Sequence, residues 1–214
     1  KNEPIAYILE EKELWSKKFK VNKDTLIPRP ETELLVDKIL KIHRGKKISI
    51  LDIGTGSGCI IISLISELNE SIGTGIDISK KAILIAKKNA TKYNLSKRIK
   101  FLNKSFENLV DKKYDLIVSN PQYIERKDIK NLSDDIKKFE PRMALDGGND
   151  GLDLIKKVIY KSKYILKVNG LLAVEIGNEQ IKKVSNILID NKFRIKEVIK
   201  DYKNNVRCVL AQNK

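Results

Sequence analysis

Two short stretches carry residue types that can do chemistry. The first is Ser119-Asn120-Pro121-Gln122-Tyr123-Ile124. It follows an apolar run and reads as a loop leaving a strand. An amide, a rigid ring, a second amide and a phenol in succession suit a planar, polar nitrogen group. The Asn120 side-chain carbonyl and the Pro121 backbone carbonyl could each accept one N–H, and the Tyr123 ring could stack on a flat amide. A turn that merely ends a strand could use the same residues. The second stretch is Asp52-Ile53-Gly54-Thr55-Gly56-Ser57-Gly58. Alternating glycines let the backbone turn tightly and approach a ligand closely, and the helix start beyond offers N–H groups without intrahelical partners. Cys59 stands where the dinucleotide fingerprint needs glycine, and no Gly-Lys-Ser/Thr closes the stretch as a P-loop would. Asp77, one strand further on, could accept hydrogen bonds from both hydroxyls of a ribose or cap the next helix.

Those residues need a frame, and the patterning supplies one. Loose alternation over residues 7–21, from Tyr7 to Val21, predicts a short hairpin. Pro28 and Pro30 hold an extended approach. Pro30 suits the first turn of a helix whose dipole Glu31 and Glu33 complement, with Leu35, Ile39 and Ile42 as its apolar stripe to about residue 43. Strand 48–53, helix 58–68 and strand 72–78 follow. Ser79 caps a helix with Ala82, Ala86, Ala90 and Tyr93 on one face. Strands 99–102 and 114–119 come next, then a long connection over 121–150 with one short helix. Helix 152–166, strand 171–176, helix 181–189 and a strand pair at 193–199 and 206–210 close the chain. Repeated βαβ units imply a seven-stranded, mostly parallel sheet with helices on both faces, preceded by a short β-hairpin. Ligands of such sheets sit at the carboxyl ends of the strands, so the loops after residues 53, 77, 102 and 119 should form the site.

A length of 214 residues suits one domain, or one domain with an appendage. The net charge of +15 invites a nucleic-acid or ribosomal partner. Only seven of the 43 basic residues are Arg, however, the residue suited to bidentate phosphate recognition. A chain-wide lysine bias and a dedicated basic face both stay open. Cys59 and Cys208 lack metal-site spacing, so no metal and no disulfide are expected and a reducing cytoplasmic compartment fits. His43, near a helix end beside Lys and Arg, reads as a surface residue. No apolar run approaches the roughly 18 residues of a membrane span, and the first residues carry no signal-peptide pattern. The chain begins without Met, as a piece of a longer protein would.

The acid-x-Gly-x-Gly-x-Gly pattern at 52–58 resembles motif I of class I S-adenosylmethionine-dependent methyltransferases. Asn-Pro-Gln-Tyr is similar to the Asn-Pro-Pro-Tyr motif of amino-directed methyltransferases, which act on exocyclic amines of adenine or cytosine and on glutamine amides. With LIPRPETELLVD at 26–37, EPRMALDGGNDGL at 140–152 and EIGNEQ at 175–180, nearly the whole chain resembles the HemK/PrmC family. That family methylates the glutamine amide in the Gly-Gly-Gln motif of peptide chain release factors. The resemblance implies a Rossmann-like fold and an S-adenosylmethionine site lined by Gly54, Thr55, Gly56, Ser57, Gly58, Asp77, Phe106 and Asn120. It implies that Asn120, Pro121, Gln122 and Tyr123 hold the substrate glutamine, with Asn120, Pro121 and Tyr123 as the catalytic set. Phe106 would stack on adenine, though core packing would also use it. The segments around Arg29–Glu31 and Glu140–Pro141 would wall the pocket or support the fold.

Three departures stand out. Gln122 replaces the second Pro of the motif, Ser105 replaces an Asp before the stacking aromatic, and the family's N-terminal helical domain is not in the chain. Residues 1–25 are therefore expected to be a linker hairpin, the remnant of a junction to that domain, and 26–214 the catalytic domain. A monomer acting on release factors is expected, with nucleic acid not required. The alternatives are a nucleic-acid amino methyltransferase and a catalytically weakened cofactor-binding partner of RNA or the ribosome.

Overall fold

The computed structural model describes residues 2–110 and 113–214. A one-turn helix α1 (Ile5–Ile8) leads into a hairpin of β1 (Glu11–Leu14) and β2 (Lys17–Lys20). Helix α2 (Thr32–His43) follows, then β3 (Ser49–Ile53), α3 (Cys59–Glu67), β4 (Ile72–Asp77), α4 (Lys80–Lys92), β5 (Ile99–Asn103) and β6 (Tyr114–Ser119). The second half comprises α5 (Asp134–Phe139), α6 (Asp153–Ile165), β7 (Leu166–Glu175), α7 (Ile181–Asp190), β8 (Phe193–Lys200) and β9 (Val206–Asn213). The seven strands after the hairpin form one sheet in the order β5-β4-β3-β6-β7-β9-β8, parallel except where β9 inserts between β7 and β8. The expected seven-stranded, mostly parallel sheet and its leading hairpin are both present. Strand β7 begins five residues earlier than the periodicity suggested. It leaves α6 directly, and its register against β6 shifts between Tyr114 and Leu116.

Strict alternation places the core. Ile50, Leu116, Val118, Leu171, Ala173, Cys208 and Leu210 face α2, α3 and α4 in one cluster. Their neighbours Leu51, Ile117, Leu172, Val174, Val209 and Ala211 face α6 and α7 in another. A period of two with both faces apolar is what a sheet covered on both sides requires. The hairpin joins the first cluster through Leu14 and Phe19, and Phe19 lies 5.9 Å from the Tyr93 ring.

Asn89 on α4 ties three pieces together. Its carbonyl accepts from Lys20 N (2.7 Å), and its amide donates to Lys20 O (3.0 Å) and to Ser57 O in the glycine loop (2.8 Å). His43 is a correction. It is buried at the end of α2, and neither ring nitrogen has a partner among the described residues. Burial, aided by Lys46, holds its pKa below the ordinary value. His43 stands four residues after Ile39 and continues the buried stripe of Leu35, Val36 and Ile39, which its charged neighbours in the sequence concealed.

The chain runs from β3 outward through β4 to β5, then returns to β6 on the other side of β3. That reversal opens a crevice at the carboxyl ends of β3 and β6. Ile53 pairs with both Ser119 and Ile76 there, so the loops after β3, β4 and β6 leave the sheet side by side.

Candidate active site

The glycine loop is fixed from both ends. Gly54 N and Thr55 N donate to Ile76 O at 2.9 and 3.0 Å. Gly56 N donates to the Asp77 carboxylate at 3.0 Å, and Ser79 N donates to its other oxygen at 2.8 Å. Each Asp77 oxygen keeps a second lone pair free, so its cap to the helix and a ribose contact are compatible. Burial holds the Asp77 carboxyl above its ordinary pKa. Gly54 and Gly56 have φ of +71° and +53°, and a Cβ on Gly54 would meet nothing within 4 Å. Gly58 differs: a Cβ there would stand 3.0 Å from Ile62 and 3.2 Å from Ala86. It packs α3 against α4 and does not line the cleft, whereas Gly54, Thr55, Gly56 and Ser57 do.

Beneath the loop, Asp52 is buried. One oxygen accepts from the Thr55 hydroxyl at 2.7 Å, and the other has no partner among the described residues. Burial pushes this carboxyl up to about 7, against the pull of that hydroxyl. Phe106 is 7% exposed and belongs to the second core cluster, yet its ring still reaches the cleft. The core-packing reading of that residue holds, and its place on the cleft leaves an edge that a ligand could meet. Ser105 takes the cap of the short turn at Phe106–Asn108, accepting from Glu107 N at 3.2 Å.

The loop after β6 is braced on two sides. The Gln122 amide donates to Met143 O at 2.6 Å. Gln180, in the EIGNEQ stretch, donates to Tyr123 O (2.9 Å) and Gly151 O (3.1 Å) and accepts from Gly177 N (2.9 Å). Close approach of Gly151 makes this possible: a Cβ there would sit 2.4 Å from Tyr123 O, at a φ of +70°. Further out, Ile124 bridges to Asp146 and Arg126 N donates to Gly148 O. The long connection thus folds back on itself, with α5 as its one short α-helix and two 3₁₀ turns besides.

Two cavities meet at this loop. The larger holds about 1050 Å³ counting its open mouth, and runs from the glycine loop past Asp77 and Phe106 to Asn120, Pro121 and Gln122. The second, about 550 Å³, lies between Arg29, Tyr123, Ile136 and Leu145. Leu26, Asn120, Pro121, Gln122 and Ala144 line both. Neither the Asn120 side chain nor the Pro121 carbonyl is bonded to another described residue, so the shared wall presents free acceptors. Pro28 and Pro141 wall the larger cavity, and buried Glu140 pairs with Arg29 beside the second.

Sequence reasoning passed over Ile78, 60% exposed beside Asp77 on the cleft, and the buried pair of Thr32 and Glu175. The Thr32 hydroxyl donates to Glu175 at 2.9 Å. Burial, reinforced by Glu31, pushes Glu175 up to about 7. Burial and the nearby Glu175 also raise the Tyr123 hydroxyl, which therefore stays protonated. Alternating hydrophobicity marks such a strand end as core and hides the acid at its tip.

The fold is that of a class I methyltransferase. Residues 44–209 match the family described as Methyltransferase domain. A ribosomal protein L11 methylase from Lactobacillus delbrueckii subsp. bulgaricus superimposes with a TM-score of 0.68 at 20% identity, over 91% of this chain and 84% of that one. A release factor glutamine methyltransferase of Clostridium acetobutylicum is 40% identical over 99% of this chain and 75% of its own length. One from Fusobacterium nucleatum is 42% identical over 99% of this chain and 60% of its own. The chain belongs to the release factor glutamine methyltransferase family. It spans about three fifths of the Fusobacterium relative's length. Among the described residues no helix is long and apolar enough to cross a membrane.

Proposed function

We propose that this chain transfers a methyl group from S-adenosylmethionine to the side-chain amide nitrogen of the glutamine in the Gly-Gly-Gln motif of peptide chain release factors. The observation that carries this reading is the wall shared by the two cavities, whose Asn120 and Pro121 acceptors are free. Family membership narrows the acceptor to a glutamine amide. The larger cavity suits the cofactor on three counts: glycine positions open to the cleft, spare lone pairs on Asp77, and the Phe106 ring at its edge. When bound, S-adenosylmethionine supplies an electrophilic methyl on a sulfonium.

An amide nitrogen is a poor nucleophile because its lone pair is delocalised. Asn120 Oδ1 and Pro121 O each accept one of its N–H groups and aim the lone pair across the shared wall. As the N–C bond forms at the expense of the sulfonium's S–C bond, whose electron pair would stay on sulfur, positive charge grows on nitrogen, and the same two oxygens would stabilise it. This mirrors an oxyanion hole, with acceptors in place of donors. The Tyr123 ring covers the flat amide in the second cavity. The methylated nitrogen then gives its extra proton to water, so no dedicated base is needed. Alignment does most of the work, as expected for an in-line displacement. In this reading residues 26–214 carry the chemistry and the hairpin within 1–25 is its fixed leading edge.

The test is methylation of an unmethylated release factor, mapped by peptide mass spectrometry. One methyl on the Gly-Gly-Gln glutamine is expected. Asn120→Ala should lower the rate by about 10²–10³-fold, the cost of losing one charge-stabilising group. Methyl transfer to an exocyclic amine of RNA or DNA, with the release factor untouched, would overturn the assignment.

A further inference from the structure

Gln122 stands where the family's pattern has a second proline, and its side chain is already occupied. The amide nitrogen donates to the carbonyl of Met143 at 2.6 Å. Met143 is the middle residue of the turn Arg142–Ala144, and 54% exposed. The turn sits over the junction of the cavities: Met143 lines the larger one, Leu145 the second, and Ala144 both. The turn is held internally only by Ala144 N to Pro141 O and by Leu145 N and Asp146 N to Arg142 O. On the other side the Gln122 carbonyl is seated against Gly147, where a Cβ would stand 2.8 Å away. Gln122 is thus the rung nearest the site in the pairing of 122–126 with 143–148.

We propose that Gln122 is a positioning residue: its side chain latches the Arg142–Ala144 turn against the shared wall and so sets the width of the passage an acceptor side chain must enter. A proline at this place would stiffen Pro121 through its ring. Glutamine gives up that restriction and replaces it with a bond across the loop. The inference rests on the acceptor reading above, and it assigns the Gln122 side chain to the turn and not to the substrate.

Two readouts test it on the full chain: amide exchange of the free protein, followed by mass spectrometry over 140–147, and methylation kinetics with a release factor. Gln122→Leu should speed exchange at Ala144, Leu145 and Asp146. It should raise KM for the release factor about five- to tenfold, the worth of one hydrogen bond, with the cofactor Kd and the thermal midpoint close to wild type. Gln122→Pro should exchange as fast as the Leu variant but show a KM between it and wild type. Gln122→Glu, of equal length without the donor, serves if the Leu variant misfolds and should behave like it. Wild-type exchange in the variant, or faster exchange with an unchanged KM, overturns the proposal. A wild-type chain that leaves the release factor unmethylated defeats instead the reading on which the proposal rests.

Discussion

Glu175 carries a carboxyl group into the interior with the Thr32 hydroxyl as its hydrogen-bonded neighbour. Its folded pKa, raised to about 7, exceeds that of an exposed glutamate. Between the two values the folded state holds more protons than the unfolded one, so stability falls as pH rises through that window and levels off above it. Asp52, also raised to about 7, adds a parallel slope. Glu175→Gln keeps an acceptor for Thr32 and removes the charge. Urea unfolding at pH 5 and pH 8 should therefore give a smaller loss for this variant, the remaining slope being that of Asp52 and Asp77 less the opposite contribution of His43, whose lowered value favours folding as pH rises. An equal loss in both proteins would mean that Glu175 is ionised at no cost. The site residues most legible in the sequence are those whose type is rare for their setting, such as Asn120 after a strand or Asp77 at a strand end. Gly58 shows the limit, because a glycine that admits a ligand and one that admits a neighbouring helix look alike until the helix is placed.

Asn89 and Gly151 operate on whole elements. Asn89 holds the hairpin and the glycine loop to α4 through three hydrogen bonds. Asn89→Ala should destabilise the fold by about 2–4 kcal/mol, since buried backbone groups lose their partners. It should also weaken cofactor binding, because Ser57 is one of those partners. Thermal unfolding with and without S-adenosylhomocysteine measures both, and an unchanged ligand-induced shift would separate the hairpin from the loop. Gly151→Ala forces a side chain into the Tyr123 carbonyl at a positive φ. A cost above about 2 kcal/mol is expected from the strain and clash, together with a larger loss of methyl transfer than of cofactor affinity. Equal losses would place the effect on the fold and not on the Tyr123 loop. Period-two runs and a Ser79 cap made the sheet and α4 readable in advance. The braces were not, because side-chain to carbonyl bonds such as Gln180 to Tyr123 leave no periodic trace.

Over the whole molecule, the reversal of strand order at β3 brings three loops to one crevice; the repeated βαβ pattern pointed to the carboxyl ends of these strands but not to their order. The 121–150 segment was readable as a connection with one short helix, present as α5, but not beyond that, since its order comes from pairing with itself. Of all the features, the shared wall reaches furthest. Five residues line both cavities, so whatever ordering one ligand imposes on that wall is felt by the other. Equilibrium thermodynamics then makes the two affinities reciprocal: the factor by which S-adenosylhomocysteine changes Kd for a Gly-Gly-Gln peptide must equal the factor by which the peptide changes Kd for S-adenosylhomocysteine. Titrations in both orders should return one factor, greater than unity. A factor of one would mean that the wall is rigid and merely divides the space. A larger one makes the partition itself the means by which the chain senses that both halves of its reaction are in place.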